Sequence, residues 1–190
     1  MKLAVLLCLS VATLSCLASC TPERVVNPMH PPHTSPGDDP VQHDVSGGVA
    51  PGGTVHGLDG KDVDLASLWD KQRLVIVFYM GHWCPHCQKQ LGDINARLGE
   101  FTKANANVVA ISTDTAEDAT ALRQHLNLAF DLYSDPDMTT IQKWGVADFG
   151  TSIAKPATFI VQPGGNIVYR RVGNNETDRP SVDEILGELQ

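Results

Sequence analysis

Two cysteines three positions apart, Cys84 and Cys87, have the types and spacing for redox chemistry. They stand in the segment Gly81-His82-Trp83-Cys84-Pro85-His86-Cys87, after an apolar run and before a stretch of helical periodicity. A cysteine at the start of a helix meets free backbone N–H groups and the positive end of the helix dipole, and both stabilise a thiolate. A second cysteine one turn further on can close a disulfide, so the first and more exposed sulfur attacks and the second resolves the mixed species. Cys84 is therefore expected to be the nucleophile and Cys87 the resolving thiol. Pro85 suits a first-turn position, where its missing N–H costs nothing. His86, beside the nucleophile, adds positive charge that favours the reduced thiolate and a more oxidising pair. Trp83 is expected to shield the attacking sulfur.

Other uses of the pair are weighed by what each would need. A structural zinc site needs a second Cys/His pair at ligand spacing, and the rest of the domain holds no further cysteine. Covalent haem needs a histidine directly after the second cysteine, where this chain has Gln88. A structural disulfide closing a two-residue loop would constrain little unfolded-chain entropy. Copper delivery by Cys84, Cys87 and His82 or His86 is kept as an alternative, because thiolate and imidazole suit that metal. The expected site has no resident metal and no cofactor beyond the cysteine pair.

The elements that must position these sulfurs can be read along the chain. Residues 55–63 read as a hairpin turned by Asp59-Gly60. The run Leu74-Val75-Ile76-Val77-Phe78-Tyr79 is continuous and rich in branched and aromatic residues, as a strand buried on both faces requires. Helix is expected over 85–103, with Leu91, Ile94, Leu98 and Phe101 on one stripe. Residues 107–112 form the next buried strand, 115–125 a helix capped by Thr113 or Thr115, 130–133 a short strand and 138–144 a short helix. Residues 158–161 and 167–171 form a second hairpin across Pro163-Gly164-Gly165-Asn166. The chain closes in a helix over 181–189, with Ser181 and Glu184 spaced as a capping box. Strands alternating with helices imply an α/β sheet of three layers. Trp69 and Trp144 are expected in the core, and His56 and His125 as structural or surface residues.

The chain has 190 residues with 14 Lys+Arg against 22 Asp+Glu, a net charge of −8. No basic run offers a face to phosphates, so nucleic acid is excluded as a partner. Met1-Lys2 and an apolar core over residues 3–14 form a signal-peptide pattern too short to span a membrane. It ends in Leu17-Ala18-Ser19-Cys20, which resembles the bacterial lipobox. The resemblance implies removal of residues 1–19, taking Cys8 and Cys16 with them, and acylation of Cys20, which would anchor the protein to a membrane outside the cytoplasm. Residues 20–53 hold seven prolines and five glycines but no Leu, Ile, Phe, Tyr or Trp, so they read as a disordered tether. Its histidines, His30, His33 and His43, read as solvated. The domain is expected over residues 54–190.

Here a family resemblance enters. The active segment, together with Val108-Val109-Ala110-Ile111-Ser112-Thr113-Asp114, Ser134-Asp135-Pro136-Asp137, Lys155-Pro156-Ala157-Thr158-Phe159-Ile160-Val161 and Asp178-Arg179-Pro180-Ser181-Val182, resembles the AhpC/TSA (redoxin) branch of the thioredoxin-like superfamily. The resemblance implies a thioredoxin fold, a central mixed sheet in three α/β/α layers with an N-terminal β-hairpin, and thiol–disulfide or peroxide chemistry. Peroxiredoxins of this branch carry Thr or Ser three residues before the attacking cysteine, and Arg three residues before the Phe of the later strand. Here those positions are Gly81 and Pro156. Reductases of the TlpA/ResA type instead carry a cis-proline at the second position, which Pro156 matches, and the cis bond would expose backbone groups to an extended substrate. The buried Asp that thioredoxin places six residues before its first cysteine is replaced by Phe78. The reading is thus an extracytoplasmic thiol–disulfide oxidoreductase, with Cys84 and Cys87 catalytic and Trp83, Pro85, His86 and Pro156 shaping the site. Its partners would be disulfide or thiol substrates and a redox partner that exchanges electrons. A thiol peroxidase is the alternative, followed by a copper-binding module.

Overall fold

Every side chain of the strand Arg73–Phe78 beyond Arg73 is fully buried, so apolar layers must cover both faces of the sheet it belongs to. The computed structural model, which describes residues 48–190, has that arrangement. Strands β1 (Thr54–Gly57), β2 (Asp62–Asp64), β3 (Arg73–Phe78), β4 (Ala106–Ser112), β5 (Asp131–Ser134), β8 (Ala157–Val161) and β9 (Ile167–Val172) form one seven-stranded sheet in the order β2-β1-β5-β4-β3-β8-β9. The neighbours β3, β4 and β5 run parallel and the remaining pairs antiparallel, which makes the sheet mixed. The pleat sends Val75, Val77 and Tyr79 into one core and Leu74, Ile76 and Phe78 into the other.

The first core is closed by α1 (Pro85–Ala96), α2 (Leu98–Lys103), α3 (Ala116–His125) and α5 (Val182–Gly187), which contribute Leu91, Ile94, Phe101, Leu122 and Ile185. The second is closed by a 3-10 turn at Leu65–Trp69 and by α4 (Thr139–Lys143). There Trp144 packs edge-on against Phe159 at 4.9 Å and tilted against Phe78 at 5.6 Å, so both core tryptophans, Trp69 and Trp144, lie where their apolar bulk predicted. The expected three-layer thioredoxin-like fold with its N-terminal hairpin is borne out. Two expected caps also form: Thr115 accepts from the Asp118 N–H and Ser181 from the Glu184 N–H, each 3.1 Å long.

Three local expectations are corrected, and one element is added. The single helix over 85–103 is two, because Arg97 leaves helical geometry at φ −116° and ψ 17°. Its guanidinium makes a paired contact with Glu100 and reaches Asp183 on α5, so the bend fastens two helices while the apolar stripe stays in one core. Residues 48–53 belong to the domain rather than to a tether. Ala50 N–H donates to the Gly165 carbonyl at 2.7 Å, Gly48 and Gly53 carbonyls accept from Ile167 and Leu65, and the Gly52 carbonyl accepts from the Trp144 indole. Backbone groups dock this segment, which is why its lack of large apolar residues did not announce it. A small hairpin, β6 (Ala147–Asp148) with β7 (Ile153–Ala154), is added before β8, too short to carry a period-2 signal. No peptide bond among the described residues is cis, so Pro156 enters β8 through an ordinary trans bond. The signal peptide, Cys8, Cys16, Cys20, His30, His33, His43 and the rest of the proposed tether lie outside the described residues.

Ile94 is fully buried under α1, on the stripe that holds the cysteine-bearing helix to the sheet. Ile94→Ala should destabilise the domain by about 2–5 kcal/mol, read as a lower urea midpoint at unchanged slope.

Candidate active site

The strands β3 and β4 run parallel, with Phe78 paired to Ile111, so their C-terminal ends deliver two loops to the same edge of the sheet. That edge is where α/β sheets place their sites. The loop after β3 is pinned by the Tyr79 N–H on the Ile111 carbonyl at 3.0 Å and by the Gln88 amide on the His82 carbonyl at 2.7 Å. It ends at Cys84, whose extended backbone caps α1 and whose sulfur accepts from the Cys87 N–H at 3.3 Å. Pro85 opens the helix directly after it. The placement of Cys84, Pro85 and Cys87 thus follows the local expectation. Their exposure does not: both sulfurs are free thiols and both cysteines are completely buried, in the core that α1 and α5 help to form.

Arg179 completes the site and was missed from sequence. Its guanidinium lies 3.1 Å from the Cys87 sulfur and 3.7 Å from the Cys84 sulfur, through the same Nη2. Nη1 donates to Gln90 Oε1 at 2.9 Å, and Nε donates to the Glu176 carbonyl at 2.8 Å. The loop that presents it is held tightly. Asp178 accepts from Arg171 at 2.7 Å and from the Asn174 N–H at 3.0 Å, while Glu184 on α5 accepts from both Arg171 and the Tyr169 hydroxyl. At Gly173 a Cβ would stand 2.2 Å from the Asp178 carbonyl oxygen, so only glycine lets the chain fold back this closely.

A second polar group lies at the end of β4. Asp114, buried, accepts from the His82 N–H at 3.1 Å, from the Ser112 hydroxyl at 2.9 Å and pairs with His82 Nδ1 at 2.9 Å. That bond to Asp114 raises the His82 imidazole above the ordinary histidine range. Beside it, Tyr79 is wholly buried, its hydroxyl has no hydrogen-bond partner among the described residues, and burial together with the charge of Asp114 pushes its ionisation upward. Cys87 is pushed up to about 11, first by burial and then by the Cys84 thiol, against the opposing charge of Arg179.

The remaining sequence candidates fall into place unevenly. Trp83 is 54% exposed and lies at the surface beside the site. Its indole nitrogen stands 2.5 Å from where a Cβ on Gly81 would be, so the residue type that carries a hydroxyl at this position in peroxiredoxins has no room unless the ring moves. His86 is exposed on the first turn of α1. Pro156 is buried, and its carbonyl accepts from the Gly173 N–H at 2.7 Å. That carbonyl is committed within the fold, so the substrate-pairing role expected of a cis bond there finds no basis. His56 and His125 are structural or surface residues as expected, His56 paired with Asp62 at 2.8 Å and His125 exposed. Among the described residues no cluster of three or more Cys, His or carboxylate groups could hold a metal.

With the geometry in view, the chain can be set beside known proteins. The AhpC/TSA family profile matches residues 47–170. A Mycobacterium tuberculosis protein named as a peroxiredoxin is 36% identical over 128 residues, covering 64% of this chain and 81% of its own length. Chloroplastic peroxiredoxin Q of Suaeda salsa is 32% identical over 146 residues, covering 76% of this chain and 67% of its own. The crystal structure of a peroxidoxin from Mycobacterium tuberculosis superposes with a TM-score of 0.69 at 21% identity, covering 76% of this chain and 95% of that one, a likeness of fold. Arg179 lies beyond the matched stretch.

The charge of Arg179 favours the Cys87 thiolate, so removing it must raise that thiol further. In a Cys84→Ser background, alkylation of Cys87 by iodoacetamide should stay slow through neutral pH and rise only well above the ordinary thiol range. Arg179→Met should move the inflection higher still, and an unmoved or lowered inflection would refute the contact.

Proposed function

The chain belongs to the AhpC/TSA family, and on that footing we propose that it is a thiol peroxidase that reduces a small hydroperoxide at Cys84, closes a Cys84–Cys87 disulfide and draws its electrons from an external thiol donor. The observation that carries the reading is the Arg179 guanidinium on both sulfurs inside a buried site. It supplies the cation that position 156 lacks. Peroxide cleavage develops negative charge on the departing oxygen, and a preorganised donor aimed there is the main catalytic aid available.

The steps balance as follows. The Cys84 thiolate, faced by the Cys87 N–H and by Arg179, attacks one peroxide oxygen. The sulfur–oxygen bond forms as the oxygen–oxygen bond breaks. The second oxygen leaves with its electron pair, takes a proton and departs as alcohol or water. Cys84 is left as a sulfenic acid. Cys87 then attacks the oxidised sulfur, the disulfide forms, the sulfur–oxygen bond breaks and water leaves. Two electrons from a donor thiol pair return the site to its reduced state.

Burial also favours a small substrate. A protein disulfide must bring a sulfur in line with the attacking thiolate, and both sulfurs here are covered on all sides. A hydroperoxide needs a passage only a few atoms wide. This, with the trans bond at Pro156 and its committed carbonyl, moves disulfide exchange with proteins to second place behind the peroxidase. The lipobox-like Leu17-Ala18-Ser19-Cys20 supports placing the enzyme outside the cytoplasm on a lipid anchor.

Two measurements test this. Stopped-flow oxidation of the reduced protein by hydrogen peroxide or an alkyl hydroperoxide should be fast and should be abolished by Cys84→Ser. Arg179→Met should slow it about a hundredfold or more, and retention of the wild-type rate in that variant would defeat the assignment. Cys20→Ser should move the expressed protein from the membrane to the soluble extracytoplasmic fraction, and persistence in the membrane would rule out lipid anchoring at that residue.

A further inference from the structure

Helix α1 buries Cys87, Gln90, Leu91 and Ile94. Gln90 is the polar side chain of that set, only 7% exposed, although glutamine is ordinarily a surface residue. It follows Cys87 by three positions, so helical geometry sets the two side chains on one face. A buried amide needs a hydrogen-bond partner to offset its lost hydration. Here the partner is Arg179, whose Nη1 donates to Gln90 Oε1 at 2.9 Å.

That bond decides where the guanidinium points. Arginine presents its N–H donors as a rigid planar fork. Nε donates to the Glu176 carbonyl at 2.8 Å, which ties the fork to its own loop, and Nη1 ties it to α1 through Gln90. Two fixed nitrogens set the plane. The third, Nη2, is thereby left against the sulfurs, 3.1 Å from Cys87 and 3.7 Å from Cys84. Both fixing acceptors are uncharged. Among the described residues no carboxylate pairs with Arg179, because its neighbour Asp178 and Glu184 on α5 are both held by Arg171. The cation is therefore not neutralised where it meets the sulfurs, and it opposes the upward push of burial on the Cys87 thiol.

We propose that Gln90 is a positioning residue: it holds the Arg179 guanidinium on both sulfurs and, being uncharged, leaves the full cationic charge to them, which makes the cysteine pair more oxidising. A guanidinium favours the reduced pair, whose sulfurs can carry negative charge, over the disulfide, which is neutral. Stabilising the reduced form raises the reduction potential. A carboxylate at position 90 would make the same bond and take the charge away. The proposal deepens the peroxidase reading and rests on Arg179 as its cation, but its test needs no peroxide.

The full chain is equilibrated at pH 7 with mixtures of reduced and oxidised glutathione, and the fraction of Cys84–Cys87 disulfide gives the equilibrium constant for oxidation of glutathione by the pair. In Gln90→Met, close in volume and apolar like its neighbours, the constant should fall about fivefold, the net worth of one hydrogen bond. In Arg179→Met it should fall about tenfold or more, the effect of an adjacent opposite charge, which lowers the potential by about 30 mV or more. Adding Gln90→Met to Arg179→Met should change nothing further, because Gln90 acts through the guanidinium. Gln90→Glu keeps an acceptor in place but adds a charge, and should lower the constant at least as far as Gln90→Met. A role in packing alone would lower the melting temperature and leave the constant where it was. An unchanged constant in Gln90→Met, a further fall in the double variant, or the wild-type constant in Gln90→Glu would each overturn the proposal. Should Gln90→Met fail to fold, Gln90→Glu decides. Loss of peroxide turnover with these results intact would count against the peroxidase and leave the role of Gln90 standing.

Discussion

A thiol that must ionise is ordinarily kept near water, because a thiolate taken out of solvent loses its hydration and its pKa climbs. Here both sulfurs are fully buried at the end of a sheet whose central strand is itself buried on both faces. Burial sharpens every nearby charge, but it makes ionisation depend on groups built into the protein. The rest of the site answers that need. The start of α1 turns an N–H toward the Cys84 sulfur, and one guanidinium nitrogen lies against both sulfurs. The cost falls on Cys87, which sits inside the first turn of the helix and is held protonated.

The cation is only as useful as its position is fixed, and much of the C-terminal region serves that end. Arg179 stands on a loop between β9 and α5, and loops are free to wander unless tied. Arg171 on β9 binds Asp178 and Glu184 together, so one half-buried ion network fastens the last strand, the loop and the last helix. The glycine at 173 lets the loop close on itself, and the Gly173 N–H occupies the Pro156 carbonyl. Pro156 and Arg179 are thereby linked: the loop that presents Arg179 is docked against the backbone of Pro156 at the entrance to β8.

What the sequence made legible was local. Cys84, Pro85 and Cys87 were placed correctly because a helix start is decided by a few neighbouring residues. The run at 74–79 announced a doubly buried strand because no polar residue interrupts it. The caps are local in the same way: Ser181 and one of Thr113 or Thr115 are expected from spacing, and Ser181 and Thr115 form them. What was not legible depends on long-range contact. Arg179 reaches sulfurs 92 and 95 residues away, and no spacing rule reports that a surface-type side chain will turn inward. The break at Arg97 follows from partners on α5, not from a helix breaker in the segment. Residues 48–53 dock through backbone carbonyls, which composition does not register. The cis bond expected at Pro156 rests on resemblance alone, and the bond is trans.

The docking of residues 48–50 has a mechanical consequence. They fasten to the turn between β8 and β9, through Gly48, Val49 and Ala50 against Gly165, Asn166 and Ile167. Strand β8 runs antiparallel to β3 with Val161 opposite Leu74, so this turn lies at the end of the sheet where β3 begins. Cys84 follows the end where β3 finishes, about 20 Å further along the strand at 3.3 Å per residue. Any pull transmitted along the upstream chain therefore enters the sheet at the pole opposite the sulfurs, through a clasp of main-chain hydrogen bonds that must shear before strain reaches β3. The cysteine-bearing end of the sheet is the end that such strain reaches last.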